Sequence, residues 1–342
     1  MTKRKLTRRQ SWRIQKIQEE RTARLNKRES AVKHQLNNNH LGPEQAGLVV
    51  EHYGAQTDIE PINQPGNIWR CHLRSNLPPL VTGDKVIWRA TTTNEKKGVI
   101  VALDKRSSLL SRPDARGQLK PVAANIDYII VVIAPLPTPY AHLIDRYLVA
   151  AETVNIEPVI LLNKIDLLSN QQERQRLERL LAIYKCIGYK VLNASTFTES
   201  GLAPLQALLN EHTSVFVGQS GVGKSSLMNA LLPSTNMRVG ALSEATGKGN
   251  HTTTSAKLCH FPTGGALIDS PGIREFNLWH MMPDDIIDGF REFRPFIGHC
   301  RFRDCKHDKE PGCAIEQALK DGKILPSRLD SYWKIITSLG SK

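Results

Sequence analysis

The sequence predicts a multidomain α/β protein: a small antiparallel β-barrel, then a doubly wound parallel sheet, then a helical, cysteine-rich unit. Three observations carry this. Residues 47–110 alternate apolar and polar side chains, residues 127–272 alternate apolar β runs with amphipathic helical stretches, and three of six cysteines fall within residues 300–313. Period two marks a strand with one buried face, and βαβ alternation marks a parallel sheet. At roughly 150 residues per domain, 342 residues make two or three domains. The 40% apolar and 23% charged composition is that of ordinary globular protein.

Residues 1–45 read as a basic arm and linker. Residues 1–30 hold eleven Lys/Arg against three Glu, so most of the chain's formal +13 charge sits there. Trp12, Ile14, Ile17 and Leu25 are too sparse for a core-facing stripe. The expected state is a solvated arm that orders on a polyanion. Asn37-Asn38-Asn39 and Gly42-Pro43 read as the linker. No apolar stretch follows the basic start, and no run approaches the ~20 residues a bilayer needs. The expectation is therefore neither a secreted nor a membrane-spanning protein. Scattered Cys71, Cys186 and Cys259 argue against a disulfide framework and for a reducing, cytoplasmic compartment.

Residues 46–112 read as the barrel. Trp69, Cys71 and Leu73 alternate with Arg70, His72 and Arg74, and Val86, Trp88 and Ala90 alternate with Lys85 and Arg89. One face is apolar and the other basic. An OB-type barrel fits these short strands, and such barrels commonly bind oligonucleotides.

Residues 113–275 read as the α/β domain. Tyr128–Ala134, Pro158–Leu162, Lys190–Leu192, Val215–Val217 and Ala266–Ile268 are the expected buried strands, with helices near 140–154, 171–184, 201–211 and 224–232. Lys257–Phe261 and Ala266–Asp269 read as a hairpin within this domain.

Four strand ends carry chemistry. Gly218-Gln219-Ser220-Gly221-Val222-Gly223-Lys224-Ser225-Ser226, between a strand and a helix, matches the phosphate loop G-x-x-x-x-G-K-S. Its backbone amides and helix N-terminus suit phosphate oxygens. Lys224 reaches the β and γ phosphates, and the Ser225 hydroxyl ligates Mg²⁺. Asn163-Lys164-Ile165-Asp166 ends the strand Pro158–Leu162. A carboxylate there accepts hydrogen bonds from guanine N1–H and the exocyclic amine, a pair that adenine lacks, while the Lys164 stem covers the base. Asn193-Ala194-Ser195 fits the loop that supports the base. Asp269-Ser270-Pro271-Gly272 ends another strand; Asp269 holds Mg²⁺ through water, and the Gly272 amide meets a γ-phosphate. Between them, the Gly-flanked run 246–254 suits a switch that orders when a threonine closes on Mg²⁺. Thr253 is the catalytic candidate, although spacing leaves Thr252 and Thr254 open.

Ordinary small GTP-hydrolysing proteins place the phosphate loop first. Here the order is NKID at 163, NAS at 193, GQSGVGKS at 218, TTT at 252 and DSPG at 269, so the domain is circularly permuted. That order, with a barrel before it and a Cys/His cluster after it, closely resembles the small-ribosomal-subunit-dependent GTPase family, RsgA (also called YjeQ), over essentially the whole chain. The resemblance implies an OB-fold barrel, a circularly permuted P-loop GTPase domain and a C-terminal helical zinc-binding domain. It further implies GTP hydrolysis stimulated by the 30S subunit during late maturation, contact with 16S rRNA, and help in releasing assembly factors such as ribosome-binding factor A. A monomer is expected. A GTP-sensing RNA-binding chaperone with incidental turnover is the competing reading, and a DNA-binding ATPase is disfavoured by Asp166.

The position after DxxG, often a water-orienting Gln, is Ile273. His251, beside the threonines, is the candidate that orients the attacking water instead. In residues 276–342, Cys300, Cys305, His307 and Cys313 form C-x4-C-x-H-x5-C, a closed tetrahedral shell suited to one structural zinc. His299 competes as a ligand, and the family pattern favours His307. Arg301, Arg303, Lys306 and Lys309 interleave with the ligands and suit phosphate contact. The direct run from DSPG into this unit predicts that motion at the γ-phosphate site pulls on the zinc domain.

Overall fold

The computed structural model describes residues 41–53, 56–74, 77–92, 95–114, 118–198, 200–232, 256–270, 273 and 283–340. The predicted basic arm, up to residue 40, lies outside these residues.

Five strands close a barrel: β1 (Leu41–Tyr53), β2 (Gln56–Pro61), β3 (Trp69–Leu73), β4 (Lys85–Thr91) and β5 (Lys97–Leu103). β1 pairs antiparallel with both β2 and β4, β3 runs parallel to β5, and β4–β5 completes the ring. The alternation predicted for β3 and β4 is what buries Cys71, Val86 and Trp88 with Val49, Ile59, Leu80 and Ile100. Trp69 and Trp88 pack in a tilted pair with ring centroids 5.2 Å apart.

Two sequence expectations change here. Gly42-Pro43, predicted as linker, lies inside β1, which starts at Leu41 and pairs with Thr91 through a bulge before Glu44. The Arg89 side chain explains the extension: its guanidinium donates to the carbonyls of Gly42 and Leu41 at 2.7 and 3.2 Å. Nor is the basic face wholly free, because Arg70 donates twice to the Asp58 carboxylate at 2.8 and 2.9 Å.

A hairpin, β6 (Leu109–Pro113) and β7 (Leu119–Ala124), leads out of the barrel, so the joint predicted at 112/113 falls within β6. Six strands follow: β8 (Tyr128–Ile133), β9 (Glu157–Leu162), β10 (Lys190–Asn193), β11 (Thr213–Val217), β12 (Lys257–His260) and β13 (Ala266–Asp269). Their order is β10-β9-β8-β11-β13-β12, parallel except for β12, which forms the predicted hairpin with β13. The helices are α1 (Ala141–Thr153), α2 (Gln171–Ile187), α3 (Ala203–Leu209) and α4 (Lys224–Leu231). Asn170 caps α2 by accepting from the Gln172 amide, and left-handed Gly188 ends it.

The edge strand β12 does not end the sheet. It pairs antiparallel with β1 at Glu51↔Lys257, making barrel and α/β domain one continuous eleven-stranded sheet. Two side-chain links reinforce the seam. The buried Thr82 hydroxyl donates to the Ala256 carbonyl at 2.7 Å, and His260 Nε2 bonds Glu60, a carboxylate only 2% exposed.

The C-terminal unit contributes α5 (Pro283–Asp288), α6 (Ala314–Lys320) and α7 (Pro326–Gly340). It shares a core with the α/β domain: Phe290, Phe293, Ile315, Ile324, Tyr332 and Ile335 pack in one cluster with Ile144, Leu148 and Leu181. Arg328, 2% exposed, bridges Asp145 of α1 and Glu292, and its guanidinium lies 4.6 Å from the Phe290 ring centre. Tyr184 adds a hydrogen bond to Asp145 at 2.7 Å. A buried arginine needs such paired acceptors, since an unpartnered charge at this depth is prohibitive. Among the described residues no helix is long and apolar enough to cross a membrane.

Candidate functional site: a phosphate loop, an NKxD loop and a Cys/His cluster

The site lies at the carboxyl ends of the parallel strands, where ligands bind in open α/β sheets. β11 runs into the phosphate loop, and α4 begins at Lys224. Two glycines are obligatory there. Gly218 and Gly223 have φ of 140° and 94°, and a Cβ would lie 2.3 Å from the Val132 carbonyl oxygen or 2.4 Å from Asn163 Nδ2. The Lys224 ammonium folds over the loop and donates to the carbonyls of Gly218 and Gln219, each at 2.6 Å. It therefore sits at the centre of the curl where phosphate oxygens bind. Ser225 is half-buried in the first turn of α4, with Ser220 and Ser226 exposed on either side.

β9 delivers Asn163-Lys164-Ile165-Asp166 directly onto that loop. Asn163, 2% exposed, donates from Nδ2 to the Val222 carbonyl at 2.9 Å, and Lys164 Nζ donates to the Gly221 carbonyl at 2.7 Å. Lys164 adopts a left-handed φ of 58°, which turns the chain so that Asp166 enters a short 3-10 turn and stays exposed. β10 then places Asn193-Ala194-Ser195 alongside: the buried Ser195 hydroxyl donates to Asp166 Oδ1 at 2.5 Å. One carboxylate oxygen is thus oriented by protein while the group faces solvent. The sequence predicted that these three loops converge; their mutual hydrogen bonds were not readable from it.

Asp269 ends β13, the parallel neighbour of β11, and so lies at the same sheet edge as Gly218. A serine hydroxyl and a carboxylate are the hard oxygen donors that Mg²⁺ takes. His251, Thr252, Thr253, Thr254 and Gly272 lie outside the described residues. Ile273, by contrast, is 3% exposed within the core, and its hydrocarbon side chain offers no hydrogen bond to a water.

The metal-binding atoms of Cys300, Cys305, His307 and Cys313 lie within 4.8 Å of one another; His299 is not in the group. His307 Nδ1 faces the three sulfurs at 3.5, 3.7 and 3.4 Å. Zinc–sulfur bonds of about 2.3 Å and a zinc–nitrogen bond of about 2.0–2.1 Å at the tetrahedral angle set sulfur and nitrogen about 3.6 Å apart. The residues therefore fit one zinc ion with every position filled by protein. Burial lowers the His307 imidazole's affinity for protons, keeping it a neutral ligand. Burial, then the Glu310 carboxylate, raises the Cys305 thiol to about 12. Metal binding at these sulfurs releases protons. Glu310, absent from the sequence expectations, accepts from Cys305 Sγ at 3.1 Å and from the Lys306 and Asp308 amides at 2.9 and 3.1 Å. Those amides, Lys306 first, hold its carboxyl down to about 2. An acidic residue between the last two ligands was the available signal. Arg301, Arg303, Lys306 and Lys309 are all exposed.

A separate open cleft of about 660 Å³ lies at the opposite, amino ends of the strands, beside Tyr128, Glu157 and His212. Its Arg291 and Arg294 are already paired with Glu152, so it is not the nucleotide site.

A phosphate loop behind a displaced NKxD loop, with a barrel before and a thiolate cluster after, defines a circularly permuted P-loop GTPase. The profile described as RsgA GTPase matches residues 103–279. A protein of Azotobacter vinelandii named small ribosomal subunit biogenesis GTPase RsgA is 60% identical over 341 residues, 99% of this chain and 98% of the relative. The protein of that name from Pseudomonas aeruginosa strain PAO1 is 58% identical over 339 residues, again 99% and 98%. The chain belongs to the RsgA GTPase family. The solved structure of YjeQ from Thermotoga maritima superposes with a TM-score of 0.72 at 30% identity, covering 88% of this chain and 100% of that one. YloQ, described as a circularly permuted GTPase, gives 0.70 at 28% identity, covering 89% and 98%.

Proposed function

We propose that this GTPase acts in late maturation of the small ribosomal subunit. The reading rests on its relatives' names and on one observation above others: Asn163 and Lys164 are hydrogen-bonded to Val222 and Gly221, so base recognition and phosphate binding form one unit. Asp166 reads guanine N1–H and the exocyclic amine. The phosphate-loop amides and Lys224 hold the phosphates, with Lys224 neutralising charge that develops on the γ-phosphoryl group. Ser225 and, through water, Asp269 would hold Mg²⁺, which would neutralise charge developing on the transferred phosphoryl group. Gly272 and one of the three threonines, Thr253 first, sense the γ-phosphate. Buried Ile273 leaves the attacking water without its usual partner, and His251 takes that role.

The barrel and the basic surface of the zinc unit flank the G domain and grip 16S rRNA of the 30S subunit. GTP binding favours the gripping pose; by linkage, a subunit that prefers this pose tightens GTP binding by the same factor. Turnover stimulated by the subunit then resets the grip and helps release ribosome-binding factor A. The protein acts as a cytoplasmic monomer. GTP hydrolysis measured with and without purified 30S particles tests this: stimulation of tenfold or more is expected, and unchanged turnover overturns the stimulated cycle. His251→Ala should retain GTP affinity and lose the stimulated rate.

A further inference from the structure

Phe197 is 83% exposed, the highest fraction among the large apolar side chains exposed in the described residues. Its surroundings are otherwise tightly held. The Ser195 hydroxyl, 0% exposed as a residue, accepts from the Phe197 amide at 3.1 Å and donates to Asp166 Oδ1 at 2.5 Å. The loop closes on itself through Ser195 N to Gly201 O at 3.2 Å and Gly201 N to Thr198 O at 3.0 Å. The Phe197 backbone is thus pinned two hydrogen bonds from the carboxylate that reads guanine, while its ring is left in water.

A bare phenyl ring fixed beside a base-reading carboxylate calls for an apolar planar partner, and the base is the one that arrives there. The opposite face is already assigned. Lys164 spans from the specificity loop to the Gly221 carbonyl at 2.7 Å, so its methylene stem is available to cover one face of a base read by Asp166. The Ser195–Thr198 turn stands against Asp166 through the Ser195 hydroxyl, and Phe197 is the apolar side chain this turn leaves in solvent. Leu167, 45% exposed on the 3-10 turn after Asp166, adds apolar surface at the same rim.

We propose that Phe197 stacks on the second face of the guanine, so that the base is held edge-on by Asp166 and between the Lys164 stem and the Phe197 ring. This rests on the reading of Asp166 as the guanine-specific carboxylate. Aromatic stacking tolerates any base, so Phe197 sets affinity for GDP and GTP while Asp166 sets the choice of base.

The test uses full-length protein and titration calorimetry with GDP, GTP and ATP. Phe197→Ala should weaken GDP and GTP roughly tenfold or more, the loss seen when a stacked aromatic is truncated. Phe197→Tyr should stay within about twofold of the parent, a rescue that the aromatic face alone explains. In Phe197→Trp, GDP should quench a fluorescence component that the same titration of the unsubstituted protein lacks. Unchanged GDP and GTP affinity in Phe197→Ala overturns the stack. So does a Phe197→Ala defect that appears only on ribosomal particles, because the ring then belongs to that contact. Asp166→Ala run in parallel separates the two readings: if it keeps its preference for GTP over ATP, the guanine assignment itself fails.

Discussion

The side-chain amide of Asn163 donates to the main-chain carbonyl of Val222 at 2.9 Å, joining the end of β9 to the phosphate loop across 59 residues of chain. The same Nδ2 is the atom a Cβ at Gly223 would strike at 2.4 Å. The loop assigned to base recognition and the phosphate loop therefore share one contact. Asn163→Ala removes a buried donor and leaves the Val222 carbonyl without it, a loss of about 1–3 kcal/mol. The expected result is weaker binding of GDP and GTP together, measured by calorimetry, with little change in the preference for guanine over adenine.

The preference itself should follow Asp166. In Asp166→Asn the side chain presents an amide donor, which complements the C2 carbonyl of xanthine better than the exocyclic amine of guanine. GTP affinity should fall by at least tenfold, and xanthosine triphosphate should become the tighter ligand in direct competition. Retained GTP preference would be incompatible with the assigned role.

Metal analysis should return one zinc ion per chain. Cys313 contributes twice, as a cluster thiol and as the cap of α6, where its sulfur accepts from the Glu316 amide at 3.5 Å. Cys313→Ala should release the metal and lower Tm. Because Cys300, Cys305 and Cys313 pack in one cluster with Ile315 of α6 and Tyr332 of α7, limited proteolysis of that variant should cut first in the C-terminal unit. A zinc-replete Cys313→Ala protein with parental Tm would contradict the site.

Arg328 and Asp145 form a buried pair between residues 183 apart in sequence. Removing one partner strands the other, at a cost of about 3–5 kcal/mol. Arg328→Met should therefore destabilise the protein by that order in denaturant unfolding, and pairing it with Asp145→Leu should recover part of the loss. If both variants unfold like the parent, the bridge does not hold the C-terminal unit in place.

The barrel seam should weaken as pH rises. The Glu60 carboxylate, outweighing burial, raises the pKa of His260 above its ordinary value. A histidine whose folded pKa is raised contributes stability that is complete below its unfolded pKa of about 6.5 and lost as pH climbs through the folded value. Tm of the parent should exceed that of His260→Gln most at about pH 6 and converge with it toward about pH 9, where the imidazole is neutral in both folded and unfolded protein. A constant difference across that range would show that the charge on His260 carries none of the seam.

How legible this was depends on how far apart the participants lie. The phosphate loop, NKID and the thiolate cluster are short spacings, each enforced by a local requirement: left-handed glycines at 218 and 223, a carboxylate at a strand end, four ligands on one tetrahedron. The strands β8, β9 and β11 were legible because both faces are buried, which demands unbroken apolar runs. Gly42-Pro43 misled, since turn-forming residues also sit in a strand when a distant side chain, here Arg89, takes up their carbonyls.

By itself, the sequence specified the candidate groups for phosphate, base and metal, and that their chain order is permuted. Only the tertiary structure decided how the parts are joined. It ran the barrel into the G-domain sheet through β1 and β12, bolted the zinc unit to α1 through Arg328, and left Phe197 bare beside Asp166. The physical reason is range. A motif's residues are held together by a few bonds of backbone, whereas these contacts join segments that meet only after chain entropy has been overcome by burial, and no local pattern records the partner.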